Sequence, residues 1–451
     1  MAVSAEELGT QDIKKLLVKQ AVPASVGILF LSVNILIDTI FVGQWIGSLA
    51  IAAVTVVLPI TFLISSLGMA IGVGGGSVLS RALGSQDKEK AETTFANQIT
   101  MTLLLSVVFL ILCVFYSESV LLLFGAKGSI MQLAEEFFYP ILFSVPFLAL
   151  CMMGNNIIRA EGKAKFAMIA MIIPALVNIG LDIVFIKLMN LGMFGAAMAT
   201  TISYIMCFLF VLWFFLYKSD LKLKARHFKL NFSIVKEITE LSFVTFSRQS
   251  VISILAIIIN HTLYDYGGEQ SIAVYGIVSR MLMFALFPIL GITQGFIPIA
   301  GYNYGAKNYL RVNESIMISI KYAAILATVI YVFILYFTSE IVAIFTHDVM
   351  VNANTTTALR WVFAASPIIA IQLIGAAYFQ AAGMAKKALL LTLSKQGFFL
   401  IPLILILPNF FGIFGVWVAF PIADTLSTLL TAYYLRREMN LQKIKTSDGI
   451  L

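Results

Sequence analysis

Three acidic residues, Asp38, Asp182 and Asp424, stand well inside long apolar stretches of this 451-residue chain. A carboxylate in a lipid interior is costly, and where one is kept it usually holds a proton, a cation or a partner. Asn34 and Asp38 are four residues apart, and so are Asn178 and Asp182. On a helix that spacing puts both side chains on one face, so each pair presents an amide beside a carboxyl. Two such pairs in the first half of the chain make a polar cluster in apolar surroundings. Carboxyls held close in low dielectric resist carrying two charges, so the cluster is suited to trading a proton or binding a small cation. The plainer reading is that Asp38 and Asp182 only tie helices together, yet a neutral amide would do that at lower cost. Asp424 has no evident partner and reads equally well as a packing or snorkelling residue.

Other chemistries find no residues. The three histidines, His227, His261 and His347, are far apart, and no Ser/His/Asp or H-E-x-x-H set is present. Cys113, Cys151 and Cys207 all fall in apolar runs, which argues against a disulfide framework or a metal centre. Gly162-Lys163 is followed by Ala164, and position 157 is Ile, so the upstream glycine of a phosphate loop is missing. Neither an intramembrane enzyme nor an ATP-driven pump is indicated, and no cofactor is expected.

The elements that position the acids follow from composition. Hydrophobic residues make up 60% of the chain and charged ones 12%, against about 25% charged in soluble domains. Lipid must therefore cover most of the exterior. Apolar stretches near 21–45, 50–80, 93–116, 131–157, 166–188 and 193–217 precede a basic linker at 218–236, and six more lie near 238–264, 271–301, 313–337, 355–381, 387–408 and 413–435. Each is long enough for a spanning helix, which needs about 20 apolar residues. The first run exceeds the length of a secretory signal and reads as a retained span. Its Pro23 is either a hinge that bends the helix below Asp38 or a harmless first-turn proline.

Of the 30 Lys and Arg, 23 fall on the side that holds both termini and the linker, while Lys127, Lys187 and Arg360 fall on the other. Four lie within spans: Arg248, Arg280, Lys321 and Lys395. This asymmetry places both termini in the cytoplasm and requires an even number of spans. The net charge of +7 is thus a topology signal, not a nucleic-acid patch. Arg248 and Arg280 read as gates or as structural pairs, with Glu240 or lipid phosphates as partners.

The chain also repeats itself. Gly84 and Gly305 in similar turns are 221 apart, Gly162 and Gly383 are 221 apart, and Gly192 and Gly412 are 220 apart. The expected fold is all-α and polytopic, with 12 transmembrane helices as two six-helix lobes (1–217 and 237–451) joined by the linker 218–236. With six helices per lobe, the lobes relate by a pseudo-two-fold along the membrane normal, which leaves a path between them. Gly68, Gly72 and Gly76 suit close helix packing rather than binding.

Ile37-Asp38-Thr39-Ile40-Phe41-Val42-Gly43, Gly72-Val-Gly-Gly-Gly-Ser77 with Ser80-Arg81-Ala-Leu-Gly84, and Gln294-Gly295-Phe-Ile-Pro298 with Gly301-Tyr-Asn-Tyr-Gly305 resemble the multidrug and toxin extrusion family. The likeness spans the chain and is nearest the MepA-like and DinF-like branches. It implies a secondary antiporter that exports cationic or amphiphilic drugs in exchange for H⁺ or Na⁺, acting as a monomer in a bacterial or archaeal cytoplasmic membrane. In that family a cation site uses an aspartate on helix 1, an Asn and Asp on helix 5 and a hydroxyl on helix 6. Asp38, Asn178 and Asp182 match it, Thr200 or Thr201 would give the hydroxyl, and Asn34, Asn155 or Asn156 could add amides. These oxygens would suit Na⁺ as well, and the branch resemblance favours H⁺. A flippase for lipid-linked sugars, the nearest alternative, would need more basic residues in its cavity than Arg248 and Arg280.

Overall fold

The computed structural model describes residues 5–124, 126–345 and 349–447; His347 lies outside them. Among these residues there is no strand, and twelve helices are long and apolar enough to cross a membrane. The first six are α1 Ile13–Trp45, α2 Leu49–Gly84, α3 Lys88–Phe115, α4 Ile130–Ala160, α5 Ala164–Leu188 and α6 Gly192–Tyr217. The second six are α7 Phe232–Gly268, α8 Gln270–Gly305, α9 Tyr309–Ala343, α10 Asn352–Ala381, α11 Ala385–Phe411 and α12 Ile413–Ile444. Helices are forced by the solvent: in lipid every backbone N–H and C=O must be satisfied within the segment. Side chains such as Leu104, Val108, Ile111, Leu112 and Phe115 stand exposed along α3, where only hydrocarbon would tolerate them.

The repeat is visible in the backbone. Gly162 and Gly383 both turn through left-handed geometry, with φ of 80° and 79°, and Gly192 and Gly412 both have φ of 57°. Only glycine adopts that region without steric cost. Gln86 and Lys307, again 221 apart, share it at 59° and 58°. The left-handed residue therefore sits two places beyond Gly84 and Gly305, which close α2 and α8 in helical geometry.

The chain forms two compact units. One holds the stretch up to Leu8 and Val26–Thr245; the other holds Gly9–Ser25 and the chain from Phe246. The start of α1, to Ser25, thus packs in the second unit and the start of α7, to Thr245, in the first. The two crossing points, Ser25 and Thr245, are 220 residues apart. Glycines make both seats. A Cβ on Gly74 of α2 would lie 2.7 Å from the backbone N of Ser242 in α7, and one on Gly295 of α8 would lie 2.7 Å from that of Ala21 in α1. Polar contacts lock them. In the first unit Arg81 Nη2 is 2.8 Å from Glu237 Oε1 and Lys90 Nζ is 3.4 Å from Glu237 Oε2. In the second, Arg311 Nη2 donates to Gln11 O at 2.7 Å and Ser25 Oγ to Pro288 O at 3.3 Å.

Pro23 falls ten residues after the start of α1 at Ile13, between Ala21 and Ser25. The first-turn reading is therefore corrected: this proline removes a backbone hydrogen bond from within the helix. Apolar length marks only what lies in lipid, whereas the helix continues through its basic start.

Within the first unit, Gly68 and Gly72 allow α2 to approach α4: their Cβ positions would lie 2.8 Å from Ala149 Cα and 2.9 Å from Met153 Cα. The start of α5 is anchored by Glu161, which accepts from Ser219 Oγ at 2.6 Å and from Asp220 N at 3.2 Å and lies 3.3 Å from Lys163 Nζ. Burial pushes the Glu161 carboxyl above its ordinary range despite those partners.

Candidate cation site

α1, α5 and α6 bring the acids together. Asn34 Nδ2 on α1 donates to Asn178 Oδ1 on α5 at 2.8 Å and reaches Ala175 O at 3.4 Å. Asn178 Nδ2 in turn reaches Thr200 Oγ1 on α6 at 3.3 Å and Asp182 Oδ1 at 3.5 Å. Asn178 is thus the hub of the cluster, and its amide orientation is set by three helices. The carboxyls of Asp38 and Asp182 lie within hydrogen-bonding reach of one another. Asp182 is fully buried, while Asp38 is half-buried.

The local winding helps to place Asp182. Directly after it, Ile183–Leu188 is wound as a π-helix, a wider turn that often occurs at functional sites. Lys187 in that turn lies over the Trp45 ring at 5.4 Å, which fastens the end of α5 to the end of α1.

Electrostatically the cluster is incomplete. Asp38 Oδ1 and Asp182 Oδ2 are buried and have no hydrogen-bond partner. No Lys, Arg or His pairs with either carboxyl among the described residues. Two ionised carboxylates there would be an uncompensated double charge, so a proton or a cation must offset at least one. Carboxylate, amide and hydroxyl oxygens would also accept a small hard cation such as Na⁺.

Three expected members are elsewhere. Thr201, 100° around α6 from Thr200, donates to Pro140 O at 2.8 Å and so faces α4. Asn155 donates to Ala167 O at 2.6 Å and accepts from Arg159 Nε at 3.0 Å. Asn156 Nδ2 donates back to Met152 O at 2.8 Å, beside Gly72. Both amides of α4 are thus committed to packing and neither hydrogen-bonds to the acids.

Asp424 does have a partner: its Oδ1 lies 2.8 Å from Lys395 Nζ, with the side chains 6% and 18% exposed. It is a buried ion pair between α11 and α12, not a snorkelling residue. Arg248 and Arg280 have no ion pair or hydrogen bond among the described residues, and Glu240 engages neither. His227 is buried rather than incidental, with Nε2 at 3.4 Å from Glu89 and 3.6 Å from Glu92. These three have ligand spacing; Arg226 pairs with Glu89 at 2.6 Å and donates to His227 Nε2 at 3.3 Å, so together they form a polar network that holds the linker to α3.

The MatE family model matches residues 23–184 and again residues 243–406. The two matches begin 220 residues apart, the offset at which the turns recur. The multidrug export protein MepA of Staphylococcus saprophyticus is 27% identical over 433 residues, covering 95% of each chain. MepA of Staphylococcus aureus (strain N315) is 26% identical over the same length and coverage. A crystal structure of MATE in the bent conformation shares the fold with a TM-score of 0.93 at 27% identity, covering 99% of this chain and 100% of that one. With twelve spanning helices, a duplicated family match and full-length structural likeness, the chain belongs to the MatE (multidrug and toxin extrusion) family of membrane transporters.

Proposed function

We propose that this protein exports cationic or amphiphilic drugs in exchange for H⁺, with Asp38 and Asp182 as the coupling site. The observation that carries this reading is the pair itself: two carboxyls in reach of each other, bearing unpartnered oxygens and with no cationic side chain paired to either among the described residues. Family membership supports drug export, as do relatives named multidrug export proteins. Asn178 reaches Asp182 and is itself oriented by Asn34 and Thr200; Thr201, Asn155 and Asn156 serve packing.

Taking up a proton at the pair removes a charge from low dielectric and so changes the balance between outward-open and inward-open forms. Pro23 is the hinge in this scheme. It lies where α1 passes from one unit to the other, so a bend there moves Asp38 relative to the start of its own helix. The lobes expected at 1–217 and 237–451, with residues 9–25 carried by the second and the chain up to Thr245 by the first, are the moving parts, with both termini and the linker 218–236 in the cytoplasm of a bacterial or archaeal cell. A monomer suffices, since the acids all come from one chain, and lipid is its solvent.

The test is drug transport in proteoliposomes with an imposed gradient. Wild-type protein should export on a pH gradient without Na⁺, and Asp38→Asn and Asp182→Asn should each lose coupled export while remaining folded. Export by Asp38→Asn at the wild-type rate would refute the site. Export driven by a Na⁺ gradient alone would replace H⁺ with Na⁺, which the same oxygens suit.

A further inference from the structure

Arg248 is an arginine in mid-span that no acidic side chain neutralises among the described residues. It lies sixteen residues after the start of α7 at Phe232 and twenty before its end at Gly268, which is about 24 Å and about 30 Å at 1.5 Å per residue. It also falls on the inner stripe of that helix. Leu241, Val244, Thr245, Leu255 and Ile259 recur at helical spacing and are all less than 7% exposed; Arg248 occupies the intervening turn. It is itself only half-buried, so part of its side chain stays accessible, as does that of Ile252 one turn further on.

No hydrogen bond or ion pair engages its guanidinium among the described residues. Glu240 is eight residues back on α7 and exposed, about 12 Å along the axis. The other intramembrane cations of the second unit differ. Lys395 is neutralised by Asp424. Arg280 is exposed, with its Nη1 reaching back along its own helix to Gly276, and Lys321 is exposed on α9. An unpaired charge at this depth is among the most costly features a membrane helix carries, and it marks a functional site by default.

We propose that Arg248 recognises an oxyanion, a carboxylate or phosphate, borne by the transported compound. The cargo would then include amphiphiles that carry both a positive and a negative group. A guanidinium offers five donors in a planar fork and binds a carboxylate or phosphate through two parallel hydrogen bonds. Water satisfies it when the protein is empty, and the oxyanion replaces that water on loading. The inference rests on the exporter reading, but not on the identity of the coupling ion.

The experiment measures equilibrium binding to the full-length protein in nanodiscs, with no ion gradient. The probes are a rhodamine dye with a free carboxylate and the ethyl ester of the same dye, which differ only in the anionic group. Wild-type protein should favour the acid by about tenfold, the worth of one charge-assisted hydrogen-bonded pair. Arg248→Gln should bring the acid-to-ester ratio to about one, and Arg248→Lys should keep part of the preference. A merely structural arginine would weaken both dyes together and leave the ratio unchanged in Arg248→Gln, which overturns the proposal. So does equal binding of acid and ester by the wild type. A ratio that collapses when anionic lipid replaces neutral lipid would assign Arg248 to a headgroup phosphate and overturn the cargo role. If neither dye binds, the exporter reading fails along with it.

Discussion

A buried carboxyl is informative because of what it lacks. Among the described residues Asp38 and Asp182 have no positive partner, whereas Asp424 has Lys395 at 2.8 Å. In the proposed scheme the first arrangement takes up an exchangeable cation; the second carries its own. The same logic predicts how Asp424 responds to substitution. Asp424→Asn leaves the Lys395 ammonium in low dielectric without a counter-charge, which should cost about 3 kcal/mol. The double variant Lys395→Met with Asp424→Leu removes both charges and should recover most of that loss. Thermal unfolding in detergent separates the cases: a double variant as unstable as the single one would show that packing, not charge, is at stake. The acids themselves were legible, because a charged residue in an apolar run is rare and four-residue spacing fixes a shared face. The choice between Thr200 and Thr201 was not, since adjacent residues differ by 100° and only the neighbouring helix decides which points inward. Asn155 and Asn156 were misassigned for a related reason: backbone carbonyls at Ala167 and Met152 claim their amides, and no local pattern reveals such acceptors. Lys395 lies 29 residues from Asp424, so that pairing depends on how α11 packs on α12.

At the level of helices, hydropathy reads the lipid-covered part and misses the extensions. The observed α1 begins at Ile13 and α7 at Phe232, earlier than the apolar runs near 21 and 238. The two units exchange those extensions together with the first residues of each apolar run, up to Ser25 and Thr245. Gly74 seats α7 and Gly295 seats α1, and these glycines are 221 apart, as are Ser242 and Ala21 opposite them. Such reciprocity follows from duplication: the same close approach is built twice. A side chain at Gly295 would meet only backbone, and one at Gly74 would meet the Ser242 hydroxyl and the backbone of Ser242 and Ile238, so the helix itself must shift. Gly74→Leu and Gly295→Leu should each destabilise the protein by about 1–3 kcal/mol. Each should also loosen the seated helix start, seen as faster amide exchange in residues 234–245 for Gly74→Leu and 13–25 for Gly295→Leu. Unchanged exchange in the seated segment would mean that the glycine has no seating role.

For the molecule as a whole, the offset of 220–221 organises everything: recurring left-handed turns, duplicated family match, paired helix seats. Duplication with an even number of helices per copy has a consequence for charge. Each copy must place its basic loops on the same side, and 23 of the 30 Lys and Arg do fall there. Orientation in the membrane should follow that bias. The protein offers a clean way to check it, since Cys113, Cys151 and Cys207 are all buried and would give little background to a thiol reagent that cannot cross membranes. Single cysteines at exposed positions report each side. Lys127→Cys and Arg360→Cys should be labelled on intact cells, whereas Lys222→Cys and Lys443→Cys should react only after the membrane is opened. Labelling of Lys222→Cys from outside would invert the topology. The acids would then meet the external medium when the proposed scheme has them facing the cell interior, and the direction of drug movement on a pH gradient would reverse with them.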